Sequence, residues 1–596
     1  MAGEWFDREA GVGLGHRRLS ILDLTEGGRQ PMLSADGRWV ITYNGELYNW
    51  KELRDRAEAV GHTFQTTSDT EVLLEVVARH GVELAVRQFV GMYAFILWDR
   101  KERRLWIGRD RFGEKPLYYA RGGGQWWMAS ELKALMRVPG LNRELDEDAV
   151  DLFLEYKYIP EPYTIFRDTY KLPPGTIAEL KADGSCQVHR YWDFAEAVEG
   201  GEKNPFSGSE SEAADELERR LVETLRLQMV ADVPVGAFLS GGVDSSLVVA
   251  LMQTQTTRQV RTFSIGFELK EYDESAYARE AANHLHTDHT ELRVSPEQAL
   301  ELIPELPSIY DEPYADSSAI PTILVSRLAR QRVTVSLSGD GGDEVFGGYP
   351  RYHLLADEWE RIDAQPRLLR SCLSAGYATA HQIAKGMGLA VLARKLACRK
   401  RATAISGYRE LYRNLVTVYG SVSDFQLRPP HKKKEPKSFD VATPYHYAMA
   451  CDTVEYLPGD ILTKVDRAAM SCSLETRIPY LDHRLVEWVW SLPESYKIDR
   501  KQTKKILRRV LKRYVPSRVF DRPKMGFGVP MGEWLRGPLR DWAESLLSDE
   551  AIGCTGLLHP QNVRSLWKTH LSRRSDEQYR LWPILMLQAW HQVHMR

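Results

Sequence analysis

Cysteine is scarce in this chain: six in 596 residues, at Cys186, Cys372, Cys398, Cys451, Cys472 and Cys554, with no CxxC pair. That excludes a disulfide-built scaffold and fits a reducing cytoplasm, the expected location. No apolar run approaches the ~20 residues that span a bilayer, and the opening MAGEWFDREAG is acidic rather than basic-then-apolar, so neither a membrane segment nor a secretion signal is read. Net charge is small as well: 79 basic and 82 acidic residues leave -3. No global field draws nucleic acid or an anionic membrane, and neither is an expected partner. Internal repeats are absent.

What is present is ordinary globular composition, 43% hydrophobic and 27% charged, in a chain long enough for two to four domains. From Trp39 to about Ser130, short β-rich runs (WVITYNG, AFILWD, RLWIGRD, QWWMAS) alternate with turn residues, and KERR separates two of them as a hairpin loop. A helix is predicted over Thr70 to His80 behind Ser68-Asp69. The Gly/Ser/Glu/Lys-rich stretch AVEGGEKNPFSGSESE reads as a linker, placed at residues 196–212 between a first domain (1–195) and a second (213–596). Beyond it, VGAFLS, VRTFSIGF and VTVSLSG alternate with predicted helices, including Ala213 to Val230 and Val243 to Met252, which implies a parallel sheet covered by helices. Residues 352–447 read as a helical, basic insertion, and RPPHKKKEPK within it as a solvated loop.

The strongest chemical signal is Ser240-Gly241-Gly242-Val243-Asp244-Ser245-Ser246, between an apolar strand ending at Leu239 and an apolar helix. Glycines let the backbone approach phosphate oxygens, and the first helical N–H groups and the helix dipole favour an anion. Asp244 cannot contact phosphate directly and reads as a Mg²⁺ ligand. This segment resembles the pyrophosphate-binding loop of N-type ATP pyrophosphatases. A second, Leu337-Ser338-Gly339-Asp340-Gly341-Gly342-Asp343-Glu344 through Tyr349, is similar to one specific to asparagine synthetases. So is a third, Lys464-Val465-Asp466-Arg467 with Glu475-Thr476-Arg477-Ile478-Pro479-Tyr480-Leu481-Asp482.

The resemblance implies two folds, in α/β and α+β classes: an N-terminal-nucleophile glutaminase with a β-sandwich and helices, then an adenine-nucleotide-binding parallel sheet. The cofactors implied are ATP and Mg²⁺. Leu239, Ile265, Ser338 and Gly339 match positions around adenine and ribose, and Ser240, Gly241, Gly242, Asp244, Ser245 and Ser246 match the phosphate loop. Asp244 and Asp343 match the metal-holding carboxylates, and Lys524 matches a lysine that stabilises phosphate charge. Asp340 stands where some members have Glu, the residue associated with forming β-aspartyl-AMP and activating ammonia.

His16 to Asp23, Tyr43 to Asn49 and Ser68 to Glu71 resemble the glutamine pocket of class II amidotransferases. On that resemblance Arg18 holds the glutamine carboxylate and Asp69 its ammonium, with Glu46 beside them. Asn44 and Gly45 match the oxyanion hole, and Leu19, Ser20, Ile21 and Leu22 complete the pocket. The family nucleophile is a cysteine exposed as residue 1, whereas this chain opens Met1-Ala2-Gly3 and has no cysteine before Cys186. The opening residues resemble family sequence that lies further in. The expectation is therefore a missing opening strand and helix, and a glutaminase half inactive in the chain as given.

The implied substrates are aspartate, ATP, and glutamine or ammonia, which reaches the second site through an interior channel in intact relatives. Self-association would be as a homodimer. Rival readings are amidation of another carboxylate in surface-polysaccharide or secondary-metabolite synthesis, and a non-catalytic nucleotide-binding subunit. The β-lactam synthetase branch is disfavoured by Arg18, Asn44, Glu46 and Asp69 occurring together. His284, His286 and His289 present no paired face for a metal. Asp316 or Ser317 reads as a helix cap, with a substrate role implied for the segment from Asp311 to Ser318.

Overall fold

A computed structural model describes residues 1–181, 183–267, 273–386, 405–418, 439–522 and 528–595. Strand Gly91–Asp99 pairs antiparallel with Trp39–Leu47 on one side and Arg104–Arg109 on the other, the KERR loop turning between Asp99 and Arg104. These three form the middle of a six-stranded sheet in the order 186–190, 176–180, 104–109, 91–99, 39–47, 32–33. Helix Asp69–His80 starts where Ser68 accepts the N–H of Thr70, a cap that contributes about 1 kcal/mol. Its Val72, Leu73, Val76 and Val77 recur at helical spacing and pack with Ile41 and Phe95 of the sheet. Hairpin Ala2–Asp7/Val12–Arg17 joins the sheet through Leu14, clustered with Val40 and Trp98.

The second half carries a five-stranded sheet, every neighbouring pair parallel, in the order 288–294, 261–267, 235–238, 335–337, 475–477. Parallel strands need crossovers, supplied here by helices such as Val243–Thr254 and Ala319–Arg330. Strand residues divide between two apolar clusters. Phe263 and Ile265 pack with Ile320 and Ile323, and Ala237, Leu239 and Leu337 pack with Val243 and Leu247. The sheet is thus buried on both sides, as its near-continuous apolar strands require.

Two expectations change. Helix Phe194–Lys203 replaces the first half of the expected linker, and helix Glu210–Gln228 begins at its far end. Composition hid the first helix because only Phe194 and Val198 carry its apolar face; they are buried near Trp490. Gly201 permits that approach, since a Cβ there would lie 2.5 Å from the Trp490 carbonyl. The halves also share a core: Phe153 and Phe166 lie in one cluster with Trp590, whose indole N–H donates to the Asp311 carbonyl at 2.7 Å. In the basic insertion, helices Pro350–Asp363, Arg367–Gly386 and Tyr408–Val416 are described, and RPPHKKKEPK lies outside the described residues. No helix among the described residues is long and apolar enough to cross a membrane.

Candidate active site

The glycine turn after strand Val235–Phe238 fixes one wall of a cavity of about 490 Å³. Gly241 adopts φ +76°, and a Cβ there would meet the Tyr277 backbone at 2.6 Å, so both conformation and space demand glycine. Gly242 begins helix Val243–Thr254 without a side-chain cap, leaving the first N–H groups open to an anion. The hydroxyls of Ser240 and Ser245 lie 3.0 Å apart and brace the turn. Arg522 donates to the Ser240 carbonyl at 3.2 Å and adds a cation beside it.

Of the predicted nucleotide residues, Leu239, Ser240, Gly242, Asp244, Ser245, Ile265, Ser338 and Gly339 line this cavity. Gly241 and Ser246 are not on the wall. Ser246 is fully buried one helical step further along, where the helix turns its hydroxyl from the cavity. Asp340, Asp343 and Glu344 line the same cavity, brought beside the turn by strand Val335–Leu337 and helix Gly342–Phe346.

Between Asp244 and Asp343 sits a residue that sequence reasoning missed. Lys504 Nζ bonds Asp244 and lies 2.5 Å from Asp343 Oδ1. Burial alone would lower its pKa, but the two carboxylates outweigh that and hold it above the ordinary lysine value. Lys504 has φ +53°, a left-handed conformation that costs a non-glycine residue on the order of 1 kcal/mol. In the sequence it is one lysine of KQTKK, and nothing local singles it out. Lys524 lies outside the described residues.

The two aspartates fit a hard cation. Both carboxylates face one cavity, and both stand against glycines: a Cβ on Gly342 would lie 2.6 Å from Asp244 Oδ1 and one on Gly348 1.9 Å from Asp343 Oδ1. Asp340 accepts a hydrogen bond from the Ser338 hydroxyl. Glu344 accepts one from Tyr349 at 2.6 Å; burial first, then the Asp343 charge, raise its pKa.

The wall away from the turn carries Asp316, Ser317, Ser318, Tyr456 and Lys464. Ser318, not Asp316, precedes helix Ala319–Arg330, and Asp316 Oδ1 accepts the Ser318 N–H at 3.0 Å. Lys464 Nζ donates to Asp316 at 3.0 Å and to Ser318 Oγ at 2.9 Å. Tyr456 and Ile461 reach the same wall from an eleven-residue π-helix, Asp452–Leu462, a form concentrated at functional sites.

A second, smaller cavity collects Arg18, Leu19, Ile21, Leu22, Asn44, Gly45, Glu46 and Asp69, leaving only Ser20 of the expected glutamine set off its wall. Arg18 donates to the carbonyls of Leu22 and Asp23, which orient its guanidinium. Asp69 accepts from the Leu47 N–H at 2.9 Å and from Tyr43 at 3.2 Å. Burial raises the pKa of Glu46 and Asp69; burial and the Arg18 charge push His16 down to about 4. Glu475 and Met470, from the second half, close the wall. His289 bridges Thr262 and Ser264 at 2.9 and 3.0 Å, and His284 bonds the Tyr514 carbonyl.

Residues 216–592 match the family model described as asparagine synthase, and residues 1–192 the one described as glutamine amidotransferase domain. The chain is similar to asparagine synthetase [glutamine-hydrolyzing] 1 of Bacillus subtilis (strain 168), 33% identical over 98% of this chain and 90% of that one. It is similar to a putative asparagine synthetase [glutamine-hydrolyzing] of Mycobacterium tuberculosis (strain ATCC 25618 / H37Rv), 34% identical over 98% and 89%. It also resembles the amidase chyE of Penicillium rubens, 28% identical over 92% and 86%.

Proposed function

The chain belongs to the asparagine synthase family, and on that premise we propose that it is a carbon-nitrogen ligase that makes asparagine from aspartate, ATP and ammonia. The observation that carries the reading is the convergence on one cavity of the glycine turn, Ser338, Asp340 and the Asp244/Lys504/Asp343 constellation.

The steps follow from the wall. The turn from Ser240 to Ser245 and the start of its helix cradle the phosphates, while Leu239, Ile265, Ser338 and Gly339 receive the nucleoside. A side-chain carboxylate oxygen of aspartate attacks the α-phosphorus, and the bond to the β-phosphate breaks to release pyrophosphate. Lys504 and Arg522 stabilise the charge that accumulates on the leaving group. Asp244 and Asp343 would hold Mg²⁺, which supplies further neutralisation of the pyrophosphate. Ammonia then attacks the acyl carbon of β-aspartyl-AMP, AMP leaves, and Asp340 accepts the proton lost from nitrogen. The second, smaller cavity is the expected seat of the nitrogen donor glutamine in the family, and the amidotransferase match of residues 1–192 supports that assignment.

The test is pyrophosphate exchange into ATP, dependent on aspartate, followed by asparagine and AMP formation on addition of ammonium. Exchange with other carboxylates and none with aspartate would replace the acceptor; no exchange with any would leave a non-catalytic nucleotide-binding role.

A further inference from the structure

The cavity wall also holds a buried charge pair that the adenylation steps leave unused. Lys464 and Asp316 keep only 10% and 14% of their side-chain surface exposed, and each lines the cavity rather than the packed core. Ser318 ties them together: its hydroxyl donates to Asp316 Oδ2 at 2.6 Å and accepts from Lys464 Nζ at 2.9 Å. Behind the pair, fully buried Asp460 accepts a hydrogen bond from Tyr314 through Oδ1, and its Oδ2 makes none among the described residues. Lys157 faces Asp316 and Asp460 from the end of helix Glu147–Tyr156, and Asp340 lies near enough for its charge to act on Lys464.

As a strut this arrangement is poor. A buried ion pair contributes little net stability, because removing both heads from water cancels most of their attraction. As a receptor it is well matched to one class of ligand. A zwitterion inserted between Lys464 and Asp316 gives each a new partner of opposite sign and leaves the net charge unchanged. An acceptor carrying only one of the two charges leaves a buried ion uncompensated, which costs far more than the lost contact.

We propose that Asp316 and Lys464 are the acceptor-specificity pair, Asp316 binding the α-ammonium and Lys464 the α-carboxylate of an amino acid whose side-chain carboxyl is adenylated at Asp340. The inference rests on the adenylation reading above and adds the recognition that selects the acceptor. In this structure the two heads are in contact at 3.0 Å with Ser318 Oγ between them, so the amino acid would exchange that internal pairing for its own charges, and Asp460 supplies a second carboxylate behind the ammonium.

The test uses the full chain in ATP–pyrophosphate exchange with three probes: L-aspartate, succinate, which lacks only the ammonium, and β-alanine, which lacks only the α-carboxylate. Wild type should favour aspartate over both, by at least about tenfold in kcat/KM. Asp316→Asn should shrink the aspartate/succinate ratio and leave the aspartate/β-alanine ratio large. Lys464→Gln should do the reverse, and neither should change the KM for ATP by more than about twofold. Variants that lose activity toward all probes equally, or that move only the ATP KM, overturn the pairing. Should the variants fail to fold, wild type decides: use of succinate or of β-alanine as efficient as that of aspartate overturns it. Absence of exchange with every carboxylate sinks the adenylation reading itself.

Discussion

Arg477, on the edge strand of the parallel sheet, reaches Glu46 of the other cavity, its guanidinium 3.5 Å from the carboxylate. Its own carbonyl accepts the N–H of Ser338 at 2.9 Å, and Ser338 donates to Asp340. One residue therefore touches the walls of both cavities. The guanidinium is fully buried, also bonding Glu475 and the carbonyls of Gln228 and Val230.

Replacing it should be costly. Arg477→Met leaves Glu46 and Glu475 as neighbouring buried carboxylates with their cation gone, and breaking such a network costs about 3–5 kcal/mol. Denaturant unfolding should show a loss of that size. A change under about 1 kcal/mol, the range of an ordinary substitution, would mean that the contact carries no weight.

The Lys504 constellation makes a prediction with the opposite signature. A Cβ on Gly348 would lie 1.9 Å from Asp343 Oδ1 and 2.0 Å from Lys504 Cε, both side-chain ends that can move. Gly348→Ala should therefore fold with little loss of stability while displacing the carboxylate and the ammonium that the proposed reaction sets beside the phosphates. Aspartate-dependent exchange should fall about 10²-fold, the usual cost of misplacing one charge-stabilising group. Lys504→Met should fall at least as far, and a Gly348→Ala enzyme of normal rate would contradict the assignment.

How much of this was legible in the sequence depends on where each residue sits. The turn, the strands and Asp244 announced themselves because glycine, alternation and position before a helix are local signals. Arg18, Asn44, Glu46 and Asp69 came from resemblance, and eight of the nine expected residues, from segments far apart in sequence, line one cavity where Trp39–Leu47 and helix Asp69–His80 pack together. Lys464 and Asp316 stand 148 residues apart, so no pattern within either segment could pair them. Lys504 is hidden among similar lysines, and Gly348 looks like any turn glycine until Asp343 is placed against it. The expected linker failed for a related reason: two apolar residues suffice to bury a helix once Trp490 is waiting for them.

Nitrogen source offers a separate test. The described wall of the second cavity contains carboxylates, Arg18, Tyr43 and Asn44 but no thiol. A polypeptide of these 596 residues should therefore make product from ammonium while releasing no glutamate from glutamine, as measured by coupled glutamate detection. Glutamate release at a rate matching product formation would show that another group serves as nucleophile.

Lys497 links burial to pH. Its ammonium is fully buried, donating to the Val489 carbonyl at 3.3 Å and lying 4.7 Å from the Trp490 ring. Burial, only partly offset by Glu494, pulls its pKa from 10.5 down to about 7. A base whose folded pKa lies below its unfolded value binds fewer protons when folded, so this group makes stability rise with pH between about 7 and 10.5. Below about pH 7 the full cost of burying the charge is present. Lys497→Met removes that cost and keeps most of the packing against Trp490, while giving up one hydrogen bond worth about 1 kcal/mol. The variant should be more stable than wild type at pH 7, by on the order of a few kcal/mol, with a flatter rise toward pH 10. Thermal unfolding across that range reads both quantities; a variant that is less stable at pH 7 with an unchanged slope would show that Lys497 is held as a charged partner instead.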